Sequence, residues 1–136
     1  MNDFAALAKA LQQELQGNFR TVRISAVQTA DQFLKELKGI HPDHLPAAIV
    51  VFDNMIDGPD GIREDHFTVV AVDRFVAGSD DRALSILETG AKLLEIFPAD
   101  GRELGGVFVH PVDCVTASPD GQLAALAVGL VFKQGF

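Results

Sequence analysis

"SPDGQLAALAVGLVF", residues 118–132, is the stretch on which the fold turns. Its second half is rich in Ala and Leu, which favour helix, and by composition alone it could be one. Two features point the other way. Ser118-Pro119-Asp120-Gly121 has Pro second and Gly fourth, the signature of a type I turn. Gly129 then interrupts the apolar run. The pattern predicts a strand over Leu123–Phe132 paired as a hairpin with a strand over Val107–Thr116.

Upstream of the hairpin, periodicity assigns the remaining elements. Phe4, Leu7, Ala8, Leu11 and Leu15 recur at helical spacing, with Asn2 or Asp3 as cap and Gly17 as stop. "FRTVRISAV" (19–27) alternates as a half-buried strand does. A short helix is expected from about Asp31 to Lys38, ended by Gly39. The prolines of "GIHPDHLP" (39–46) hold that segment out of helix. Ala47–Phe52 is a continuous apolar run of strand length, and His66–Val76 reads as a longer strand. Ser79 with Asp80 and Asp81 caps a third helix, whose expected buried stripe is Leu84, Leu87, Ala91 and Leu94. The expected fold is α+β: a mainly antiparallel or mixed sheet of about five strands, with about three helices packed on it.

The chain has 136 residues and is 48% hydrophobic, which suits one domain with its own core. A net charge of -8 with Lys and Arg scattered singly argues against binding nucleic-acid phosphate. The N-terminal "MNDFAALAKA" does not resemble a signal peptide, and no apolar run reaches the ~18 residues of a membrane span. One cysteine, Cys114, excludes an internal disulfide and fits a reducing compartment. In its apolar strand Cys114 is expected to be a small buried residue.

"DNMIDGPDGIRE" (53–64) places Asp53, Asp57, Gly58 and Glu64 at positions 1, 5, 6 and 12 of an EF-hand window. Met55 at position 3 offers a thioether where calcium needs oxygen, and strands flank the segment where an EF-hand has helices. The expectation is therefore an acidic inter-strand loop that acts as a surface. Its candidate interaction residues are Asp53, Met55, Asp57, Asp60, Ile62, Arg63 and Glu64, contributing contacts and little to the fold. His41 and His44 sit between prolines rather than on a helix, so they make a poor metal clip. His66 and His110 fall at expected strand starts. Glu36-Leu-Lys38 lies in the wrong context for a nuclease, and Gly101, Gly105 and Gly106 lack the Lys-Ser/Thr of a phosphate loop. No catalytic residue, metal or cofactor is expected.

"PAAIVVFDN" (46–54), "HFTVVAVDRFV" (66–76), a capped helix, "VHPVDCV" (109–115) and a final apolar strand together resemble small tail proteins of Mu-like phages and prophages. The resemblance is to a tail-terminator family encoded just before the tail sheath and tube, and it covers nearly the whole chain. It implies a structural virion protein, not an enzyme. Such a subunit assembles as a ring homo-oligomer, with a hexamer as the candidate stoichiometry, that caps the tail tube and presents a head-docking face. The implied partners are other copies of itself, the tail tube protein and head–tail connector proteins, with no sequence-specific nucleic acid and no membrane. The implied location is the host cytoplasm during assembly and the virion tail afterwards. Two alternatives stay open: a small non-phage binding or enzyme domain with a ligand site at residues 53–65, and a cellular interaction module.

Overall fold

Asp3 fixes where the first helix begins, since its carboxylate accepts from the Ala6 N–H at 2.8 Å. From there α1 runs over Phe4–Leu15 and buries Leu7, Leu11 and Leu15 completely. Burial of each leucine contributes about 2 kcal/mol. The computed structural model describes residues 3–26, 29–74, 80–120 and 123–135. In it β1 (Thr21–Ser25) leads to α2 (Ala30–Lys38). Thr29 caps α2 reciprocally with Gln32, each side chain accepting the other's backbone N–H at 3.2 Å. The chain continues through β2 (Ala47–Asp57), β3 (Ile62–Arg74), α3 (Asp80–Ile96), β4 (Arg102–Leu104), β5 (Val107–Asp120) and β6 (Leu123–Gly135). Ser79, the expected cap of α3, lies outside the described residues.

The strands form one six-stranded sheet in the order β1-β2-β3-β6-β5-β4. β1 and β2 are parallel because α2 carries the chain between them, and every other neighbouring pair is antiparallel. The α+β class, the three helices and the apolar run as a strand all match the sequence reading. The additional strand, β4, lies between Gly101 and the Gly105-Gly106 pair, all three at positive φ. Three residues are too few for an alternation to be visible.

Alternation along the strands divides the sheet into two faces. On the first, α1 and α3 cover Val50, Phe67, Val69, Leu126, Val128, Leu130 and Phe132. On the second, Leu37 of α2 with Ile40 and Leu45 covers Ala47, Ile49, Val70, Val72, Leu123 and Ala125. That second cover reaches only part of the sheet. Further along, Ile56, Phe108, Val112 and Val115 are exposed.

Three expectations are corrected. The hairpin of β5 and β6 exists, but Ser118, Pro119 and Asp120 belong to the end of β5, and Asp120 pairs with Leu123. Gly121 lies outside the described residues. β6 runs past the expected end at Phe132 to Gly135, and it lies between β3 and β5. The third correction concerns α3, where Leu84, Leu87, Ala91 and Leu94 are exposed and the buried side is Ile86, Gly90, Leu93 and Phe97. Both stripes have helical spacing. Gly90 decides between them, because a Cβ there would stand 2.6 Å from the Leu126 Cδ1 of β6, so only this side of the helix can approach the sheet so closely.

Candidate functional site

The acidic stretch Asp53–Asp65 is not a long loop. β2 continues to Asp57 and β3 begins at Ile62, so the two strands pair from Asn54 against His66 to Asp57 against Arg63. Only residues 58–61 make the turn, closed by Gly58 N–H donating to Ile62 O at 2.6 Å. Asp60 (φ 60) and Gly61 (φ 72) take left-handed conformations there, which Asp tolerates better than most residues. The sequence reading missed this because charged residues interrupt the apolar alternation that marks a strand.

The seven candidate residues therefore have different roles. Asp53 sits at a bulge between Phe52 and Asn54, and its Oδ2 accepts from the Thr68 hydroxyl at 2.6 Å. Met55, Asp57, Asp60 and Ile62 are exposed around the tip of the hairpin. Glu64 lies beside His66, with Oε1 3.6 Å from Nε2. Arg63 turns inward instead. Its Nε and an amino nitrogen donate to Asp65 Oδ2 at 3.0 and 2.8 Å, and its guanidinium lies 5.2 Å from the centre of the Phe4 ring. Asp65 is fully buried, and its Oδ2 also accepts from Gln134 Nε2 at 3.1 Å. Phe4 stacks on Phe52 at 4.5 Å, so this cluster joins α1 to β2, β3 and β6. The expectation that the segment adds little to the fold is corrected by these contacts.

Neither His66 nor His110 starts a strand, and the register brings them to either side of Val131 on the second face. The Nε2 of each is buried and without a hydrogen-bond partner. His110 Nδ1 lies 3.2 Å from the Pro111 carbonyl oxygen. His41 and His44 are exposed, with ring centres 5.9 Å apart, and His41 Nδ1 accepts from the Asp43 N–H. Among the described residues no three His, Cys, Asp or Glu side chains come together as metal ligands.

An exposed surface that sequence reasoning missed lies on β5. Among the described residues, β4 pairs with the outer edge of β5 at Val107–Val109 and no further along. Beyond it, Val112, Asp113, Cys114, Val115 and Thr116 are exposed in succession, although alternate side chains point to opposite faces. Val112 and Val115 are 54% and 55% exposed. Cys114, expected inside, is exposed because its strand extends past the helices that cover β6. A bulge at Val112 shapes the arm, and Asp113 Oδ1 accepts the Gly129 N–H at 3.0 Å. The signal available in the sequence was Pro111 and Pro119, residues a sheet accepts only where an N–H is not needed.

No helix among the described residues is long and apolar enough to cross a membrane. No family model and no curated protein matches the chain. Solved structures do match its fold. One of them, whose name describes no function, aligns with 97% of this chain and 93% of its own at 17% identity and a TM-score of 0.51. At that identity the likeness concerns the fold alone.

Proposed function

We propose that this chain is a structural subunit of a phage or prophage tail. In this reading it is a tail terminator whose copies close into a ring at the end of the tail tube and offer a docking face to the head. The observation that supports the reading best is the β5 arm, five consecutive strand residues exposed on both faces and along one edge. A strand left in that state invites pairing with another chain, and proteins normally cover or charge it. A closed ring supplies the cover from neighbouring subunits. The exposed stripe Leu84, Leu87, Ala91 and Leu94 on α3 adds apolar surface of the kind that contacts carry. The net charge of -8 suits a conduit through which DNA slides without adhering. The test is to polymerise the tail tube protein of the same genome with increasing amounts of this chain. Tubes should become shorter and stop growing as the chain approaches one ring per tube end. Tube lengths independent of its concentration contradict the proposal.

A further inference from the structure

We infer that β1 of one copy lies antiparallel along the open edge of β5 of the next, Thr21–Ser25 against Asp113–Ala117, so that the sheet continues from subunit to subunit. This rests on the ring reading and adds which surfaces meet. A head-to-tail ring needs two different patches, one on each side of the subunit. The sheet supplies them, with β1 at one edge and β5, past its short cover by β4, at the other.

Length, direction, face and charge agree. Pro111 and Pro119 cannot donate, which leaves the window 112–118 for a pairing strand, and β1 has five residues. β1 runs with β2, and alternation through β3, β6 and β5 sets β5 opposite to it, so a continued sheet makes the new pair antiparallel. Ile24 pairs with Val50 and Cys114 with Val128, and both partners belong to one core cluster, so Ile24 and Cys114 share the first face. Opposing Ile24 to Cys114 places Arg23 opposite Val115 and diagonal to Asp113, within reach of a long side chain. Residues 18–26 contain Arg20 and Arg23 with no acid, whereas residues 110–120 contain Asp113 and Asp120 with no Lys or Arg. Pairing β5 with a second β5, with Cys114 opposite Cys114, would instead set the two Asp113 side chains on a diagonal.

Cys114 makes the test direct. β1 and β5 lie four strand spacings apart in one sheet, about 19 Å, whereas a disulfide spans Cα atoms at most ~7 Å apart. A bond between them therefore has to join two copies. Ile24→Cys, assembled with the tube protein and mildly oxidised, should give a ladder of covalent oligomers ending in a closed ring. Ile24→Cys combined with Cys114→Ser should give none. Arg23→Glu should weaken self-association roughly tenfold with an unchanged melting temperature, which separates an edge contact from misfolding. Rings by electron microscopy without the Ile24→Cys ladder overturn this inference and leave the ring reading standing. A wild-type dimer linked through Cys114 to Cys114 as the main product also overturns it, in favour of β5 pairing with itself. A chain that stays monomeric with and without the tube protein overturns both.

Discussion

Asp65 and Asp57 look alike in the sequence, two carboxylates in one acidic run, yet they do opposite things. Asp57 is exposed at the hairpin tip. Asp65 is fully buried, holds Arg63 and Gln134 through one oxygen, and leaves its Oδ1 without a partner. Removing one partner of a buried ion pair leaves the other charge uncompensated, at about 3–5 kcal/mol. Asp65→Ala is therefore expected to lower the unfolding free energy measured by urea titration by an amount of that order. Asp57→Ala should stay within about 0.5 kcal/mol of the wild type. Equal effects from the two would contradict the assigned roles. Composition could not tell them apart. Only the register does, by placing Asp65 two residues from Phe67 on the covered face of β3.

At the scale of elements, α3 and the β2–β3 hairpin carry the revised assignments. α3 has two apolar stripes, and sequence spacing alone selects neither. Leu93 is completely buried, so Leu93→Ala should cost about 2–5 kcal/mol by leaving a cavity. Leu87→Gln on the exposed stripe should change stability by less than about 0.5 kcal/mol. Thermal unfolding of the two variants checks the orientation of the helix, and a reversed order would mean it is turned the wrong way. For the hairpin, replacing Asp57–Arg63 with a short Gly-Ser linker removes Arg63 from Asp65 and breaks the ladder to Gln134 and Gly135 of β6. The expected outcome is a melting temperature lower by several degrees, where a detached loop would leave it unchanged. Helices with clear caps and strands with clean alternation were legible: α1, α2, β1 and the hairpin of β5 with β6. The ends of β2 and β3 were not, because Asp, Glu and Arg there follow the pleat without the apolar pattern that reveals it. Cys114 was misjudged for a related reason. Strand propensity says that a residue is in a sheet, but not whether a helix covers it.

For the whole molecule, the sheet leaves β1 at one edge and most of β5 at the other, and among the described residues no helix covers part of its second face. This geometry was not legible in the sequence, because strand order is fixed by non-local pairing. The hairpin of β5 and β6 could be read from the sequence, but not that β6 is enclosed by β3 while β5 faces outward. In the proposed ring, the two edges would meet between neighbouring subunits, and the net charge of -8 would disfavour adhesion of DNA. The most direct measurement is cryo-electron microscopy of tail tubes polymerised in the presence of this chain. The account predicts a ring of extra density at one end of the tube, with subunits related by rotation and their sheets continuous across the boundaries. Density along the tube wall, or tube ends indistinguishable from those formed without the chain, would contradict it.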